Sequence, residues 1–171
     1  MLQTKLKLRF YGDPVLRRRS AAVAEVTDKE RDILNEMAEV MRISGGIGLA
    51  APQVGINKQM VLVDVGQGPV ILINPRIIKR SGSSSLEEGC LSLPGVYVKV
   101  KRAKTVQVSG LNEKNQKIKI CAYDLLARAL QHEIDHLRGR LIIDHAGFLQ
   151  KIKLRKKLRS LDKIVFSTGM V

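Results

Sequence analysis

No apolar run in this 171-residue chain approaches the ~18 to 20 residues needed to cross a bilayer, which excludes a helical membrane span. The opening stretch from Met1 to Arg19 has no unbroken apolar core and no small-residue cleavage site, so no secretory signal is visible in it. It also lacks an Arg- and Ser-rich leader, so the expectation is a cytoplasmic protein of bacterial type with no membrane partner. Cysteine is scarce: Cys90 and Cys121 are the only two, too few for a disulfide framework. Nothing repeats internally, and the length suits a single catalytic domain spanning 1–171 that needs no staple. The Gly46-Ile47-Gly48 stretch has no Gly-Lys-Ser/Thr ending, no third glycine and no strand before it, which removes phosphate-loop and dinucleotide readings.

Negative charge is the other deficit. Thirty Lys and Arg face sixteen Asp and Glu, a net +14. Half of that lies beyond Leu137, where nine basic residues meet only Asp144 and Asp162. A basic helical tail at about 149–166 suits a polyanion such as ribosomal RNA or an acidic surface, and equally suits a solvated helix face.

Signals of local structure come in order. Gly12-Asp13-Pro14 marks a turn, and Thr27-Asp28-Lys29-Glu30 has the form of a capping box opening a helix with Ile33, Leu34, Met37 and Met41 on its apolar stripe. Ser44-Gly45-Gly46 ends that helix, and Gly46 to Gly55 follows as a small-residue loop. Strands are expected at Met60 to Val65 and Val70 to Ile73, the second broken by Asn74-Pro75. Ser81 to Ser85 reads as a loop, and Glu87 to Gly95 as a glycine-flanked loop entering a strand. Val96, Val98 and Val100 alternate with polar or exposed types, while Val106 and Val108 should pair with Ile118 and Ile120 across the Asn112 to Gln116 turn. A last amphipathic helix carries Leu154, Leu158, Leu161 and Val165. The expected fold is α+β, with antiparallel sheets wrapped around a central ligand-bearing helix and a helix at the C-terminus.

That central helix is the stretch Gln131 to Gly139, with Asp124 placed to cap its start and Gly139 to end it. His132 and His136 lie one turn apart and project side by side, so both imidazoles can reach one cation. In the H-E-x-x-H pattern the intervening carboxylate, Glu133, is the base that accepts a proton from metal-activated water. Leu125 and Ala129 share the histidine face, giving the site an apolar wall.

The third ligand separates the candidate classes. A metzincin would place a histidine where this chain has Ile142, and a thermolysin-like enzyme needs a downstream glutamate, whereas Glu133 is the last in the chain. Asp144 and His145 remain as downstream candidates. Cys90 is the stronger one, because the glycine-flanked Glu88-Gly89-Cys90-Leu91-Ser92 can bring backbone close to a cation; Cys121, between Ile120 and Ala122, reads as a small core residue.

Together, Gly46 to Gln53, Glu88 to Ser92 and Gln131 to Gly139 closely resemble the three motifs of the peptide deformylase family, in order and spacing. Tyr11 to Leu16 resembles that family's N-terminal segment, so the likeness runs to about Phe148. The resemblance implies hydrolysis of the formyl group from the N-terminal formylmethionine of newly made proteins, with release of formate. It implies Cys90, His132 and His136 as metal ligands, Glu133 as the proton carrier, and the Gln53 amide and Leu91 backbone N–H as oxyanion donors. A methionine pocket is implied at Ile47, Leu86, Leu125 and Ala129, with a backbone contact to the peptide at Gly48. One thiolate and two imidazoles would by themselves suggest Zn2+; the resemblance implies Fe2+, with Zn2+, Ni2+ or Co2+ able to occupy the site. Expected partners are N-formylmethionyl nascent peptides and, through the tail, the ribosome, with the chain a monomer. The competing readings are a zinc endopeptidase and an inactive basic RNA-associated module.

Overall fold

The computed structural model describes residues 5–167. Its organising feature is β2, Met60–Val63, buried along its whole length because both faces of the sheet around it are covered. Met60 and Leu62 point to one side and join a core with Leu34, Met37, Val40 and Met41 of α1, Asp28–Ile43. Val61 and Val63 point to the other and pack with Ala127, Leu130 and Ile134 of α2, Asp124–His136. The period-2 geometry of a strand thus turns one continuous apolar run into two cores.

The sheet has five antiparallel strands in the order β1-β2-β3-β6-β7, built from Gly48–Ala50, Met60–Val63, Val70–Ser81, Thr105–Leu111 and Lys117–Tyr123. A second sheet pairs β4, Ser84–Cys90, with β5, Leu93–Arg102. Val96, Val98 and Val100 of β5 face inward as expected and form a third core with Leu141, Ile142 and Ile143. Leu154, Leu158 and Leu161 of α3, Phe148–Ser167, pack against that core; the side chain of Val165 lies outside the described residues. The α+β arrangement, with sheets around α2 and a C-terminal helix, is the expected one. No helix among the described residues is long and apolar enough to cross a membrane.

Several local expectations change. β3 is not broken at Asn74-Pro75 but passes through it on a bulge, with Asn74 at φ 52. Asn tolerates that conformation, and its amide is tied on both sides to the Val23 backbone, at 2.9 and 2.8 Å. Only Gly82 and Ser83 separate β3 from β4, so most of the serine-rich stretch is strand. The Gly46 to Gly55 stretch holds the short β1 and a 3-10 turn, Ala51–Val54. Glu87 to Gly95 is likewise the end of one strand, a tight turn and the start of the next. Val106 pairs with Ala122 and Val108 with Ile120. Cys121 is exposed, not core, because the inward positions on β7 fall on its neighbours. Asp124 does not cap α2: it takes φ 48 at the strand-to-helix corner, its N–H donating to Lys104 O at 2.9 Å, and Tyr123 holds the N-cap position.

The capping box is present: Glu30 accepts from the Thr27 N–H at 3.0 Å and from the Thr27 hydroxyl. Lys58 adds a third bond, and these contacts hold the Glu30 carboxyl at about 2. At the far end of α2, Gly139 takes φ 68 and Arg140 N returns to Asp135 O at 3.0 Å. A Cβ at Gly139 would strike the Arg17 carbonyl.

Candidate metal centre

Helix α2 sets His132 and His136 edge to face, with Nε2 atoms 3.2 Å apart. The end of β4 delivers Cys90 from the opposite side, its Sγ 3.4 Å from His136 Nε2. All three donor atoms lie within 4.8 Å of one another, the one such cluster among the described residues. A tetrahedral cation with metal–sulfur near 2.3 Å and metal–nitrogen near 2.1 Å would hold its ligand atoms roughly 3.4 to 3.6 Å apart. The separations of 3.2 and 3.4 Å about His136 Nε2 come close to that spacing, so the donor set suits a single ion. Asp144 and His145 are elsewhere: Asp144 pairs with Arg17 at 2.6 Å and His145 with Asp135 at 2.9 Å.

A charged scaffold that the sequence did not advertise holds the first imidazole. Glu88 lies 3.1 Å from His132 Nδ1 and accepts from Arg102 at 2.7 and 3.0 Å and from Arg128 at 2.6 Å. Burial works against the Glu88 charge, but bonds from His132 and Arg102 outweigh it and hold the carboxyl at about 2. In its neutral form, with Nδ1–H donated to that carboxylate, His132 would present the Nε2 lone pair to a cation. Arg102 continues to Asp135 at 2.8 Å, and Arg128 reaches the Ser84 hydroxyl at 2.8 Å. Burial opposes a charge on His132, yet the bonds to Cys90 and Glu88 raise its pKa well above the usual imidazole value. Burial and the neighbouring His132 push His136 well below it, and its buried Nδ1 has no protein partner.

Glu133 is buried, its Oε2 has no hydrogen-bond partner, and desolvation lifts its carboxyl to about 7. Gly48 of β1 lies against this carboxylate so closely that a Cβ there would collide with Oε1. Gln53 sits on the 3-10 turn, its Oε1 accepting from Ala50 N at 2.8 Å. That bond fixes the amide orientation and aims Nε2 at Ser92 Oγ, 3.3 Å away, and Cys90 Sγ, 3.6 Å away. Leu91 occupies the turn after Cys90, its side chain filling the space a Gly46 Cβ would take.

These groups open on a cleft of about 500 Å³ lined by Ile47, Gly48, Gln53, Cys90, Leu91, Leu125, Ala129, His132 and Glu133. Ile47 and Leu125 are 44% and 50% exposed, so the apolar wall is open to an incoming side chain. Leu86 is 56% exposed and not among the cleft-lining residues, whereas Glu87, Glu88, Gly89 and Cys90 of the same strand are. Glu88 lay inside a recognised motif and could have been suspected as the histidine's partner. Arg102, Arg128 and Asp135 had no local signal, because only the folded β4–β5 pair and α2 bring them together.

One half-buried cysteine sulfur and two imidazoles, beside a buried carboxyl with an unpartnered oxygen and an apolar cleft, define a metal-dependent hydrolase. Residues 5–152 match the family model described as Polypeptide deformylase. The chain is 50% identical over 141 residues to a peptide deformylase of Halothermothrix orenii, covering 81% of this chain and 92% of that one. It is 46% identical over 156 residues to one from Pseudoalteromonas translucida, covering 90% and 93%. Among solved structures it resembles the peptide deformylase of Synechococcus elongatus in complex with actinonin, with TM-score 0.83, 38% identity and coverage of 100% and 90%. A plant peptide deformylase gives TM-score 0.90 at 34% identity, covering 99% and 96%. The chain belongs to the peptide deformylase family, hydrolases that remove the N-formyl group from the formylmethionine of newly synthesised polypeptides.

Proposed function

We propose that Cys90, His132 and His136 hold one Fe2+ per chain and that Glu133, Gln53 and Leu91 carry the deformylation around it. The convergence of one sulfur and two imidazole nitrogens within 4.8 Å is the observation that carries this reading. Iron is taken from the family resemblance, since the donor set also suits Zn2+, Ni2+ or Co2+. When bound, such a cation supplies Lewis acidity, lowering the pKa of a water and polarising a carbonyl.

The chain's own groups supply the rest. Glu133, poised at about 7 and free at Oε2, takes the proton of the attacking water and returns it to the amine nitrogen as the formyl C–N bond breaks. The fixed Gln53 Nε2 and the Leu91 N–H stabilise the oxygen that gains charge. Ile47, Leu125 and Ala129 of the cleft grip the methionine side chain, the exposed Leu86 of β4 adds to that grip, and Gly48 presents backbone to the peptide. Exclusion of water by these apolar groups strengthens each polar contact.

The whole chain acts as one cytoplasmic catalytic domain and as a monomer. In support of a monomer, Leu154, Leu158 and Leu161 of α3 pack against the chain's own third core, and Lys157 ties α3 to the Gly95 carbonyl at the cleft. The exposed cations Lys151, Lys153, Arg155 and Arg159 make the tail a contact for the ribosome. Formate release from formyl-Met-Ala-Ser by anaerobically purified protein tests the catalytic assignment. The parent should turn over, whereas Glu133→Ala and Cys90→Ala should not; full activity in either variant contradicts it.

A further inference from the structure

The tail accounts for half of the excess positive charge, and part of the remainder is gathered on one sheet. Before Leu137 the surplus is again seven, and β3, β6 and β7 carry five cations with no Asp or Glu among them. The strand register shows where they stand. Arg76, Ser109 and Lys119 are directly opposite one another across three strands, as are Lys79 and Gln107. Directly opposed residues share a face, so these side chains lie on one surface. Lys117 belongs to the same surface, opposite Leu111. Leu111 packs into the α1 core, which identifies this as the α1 side of the sheet. Past Leu111 the helix no longer covers it, and Arg76, Lys79, Lys117 and Lys119 are all exposed. None of the four has an ion-pair partner among the described residues.

The geometry points to this bare sheet face as a docking surface for the phosphate backbone of single-stranded RNA, separate from both the cleft and the tail. Arg76 and Lys119 are two strand spacings apart, about 10 Å, with the Ser109 hydroxyl between them. Cations interleaved with hydroxyl and amide groups suit alternating phosphates and sugars. Tyr123, 60% exposed at the end of the edge strand, offers a ring for base stacking. An anionic bilayer fits less well, since Ile78 is the one exposed aliphatic side chain on β3 and inserts little apolar area. The substrate gives such a surface a use, because a nascent polypeptide is still close to the RNA that made it.

The test is fluorescence anisotropy of a labelled oligouridylate titrated with full-length protein across a salt series. Three proteins are compared: the parent, a face variant with Arg76, Lys79, Lys117 and Lys119 all changed to Gln, and a tail variant with Lys151, Lys153 and Arg155 changed to Gln. The face variant should bind at least tenfold more weakly at low salt. Its slope of log K against log salt should be shallower by about 3, since each single-strand phosphate contact contributes about 0.7. The tail variant should keep most of the parent's slope. Deformylase turnover should be unchanged in the face variant, which shows that the sheet is intact. Parent-like affinity and slope in the face variant overturn the proposal. So does binding of the parent to phosphatidylglycerol vesicles with no binding to the RNA.

Discussion

Glu88 joins stability to metal binding, and replacing it separates the two effects. Its carboxylate meets Arg102, Arg128 and His132, and the side chains of Glu88 and both arginines are 5–8% exposed. Glu88→Ala leaves Arg128 with no carboxylate partner and Arg102 with Asp135 alone, in a site that water scarcely reaches. Breaking a buried pair from one side costs about 3–5 kcal/mol, a large part of the ~5–15 kcal/mol that holds a domain together. The same change frees His132 Nδ1, and loss of such an outer partner typically weakens metal binding ~10- to 100-fold. Glu88→Gln keeps the shape and one acceptor oxygen, so it should cost less on both counts. Urea denaturation gives the first quantity and competition with a chromophoric chelator the second. Acid adds a signature. The folded Glu88 carboxyl sits at about 2, below its ordinary 4.5, so its contribution is complete above 4.5 and disappears as pH falls through 2. The parent should lose stability over that window more steeply than Glu88→Gln. Stability within ~1 kcal/mol of the parent, together with parental metal affinity, in Glu88→Ala would refute the role given to this network.

Three further outcomes are expected. Gly48→Ala drives a methyl group into the Glu133 carboxyl and should lower kcat at least tenfold with metal content and far-ultraviolet dichroism unchanged; parental kcat would show that Glu133 moves aside at no cost. Glu30→Gln weakens the bonds to Thr27 and Lys58 and should cost ~1–2 kcal/mol at neutral pH. Because the Glu30 carboxyl lies at about 2, that difference should shrink on acidification from 4.5 towards 2, and a constant difference in urea melts would contradict it. Gly139→Ala meets both an unfavourable positive φ and the Arg17 carbonyl, so the melting temperature should fall by at least ~2–4 °C; an unchanged melting temperature would contradict the tight α2 terminus.

Features determined by neighbouring residues were legible in the sequence. Thr27 and Glu30 are three positions apart and close their box within one helical turn, and Val96, Val98 and Val100 need only the strand period to face inward. His132 and His136 are brought together by α2 alone, and the motifs around Cys90 and Gln53 were distinctive enough to place the partners. What escaped depended on distant chain. Whether β3 ends at Asn74-Pro75 is decided by Val23, which captures the Asn74 amide from fifty-one residues away. Cys121 faces outward because of a sheet register that its own apolar neighbours do not reveal. The Glu88, Arg102, Arg128 and Asp135 network exists only once a hairpin and a helix have packed, so no window of sequence contains it.

The central claim is that one sulfur and two imidazole nitrogens from distant segments grip one ion. X-ray absorption at the metal edge of anaerobically purified protein tests it most directly. The account predicts one metal per chain with a single sulfur near 2.3 Å and two imidazole nitrogens near 2.1 Å, and loss of the sulfur shell in Cys90→Ser. A parent spectrum with no sulfur in the first shell, or a shell unchanged by Cys90→Ser, would contradict it.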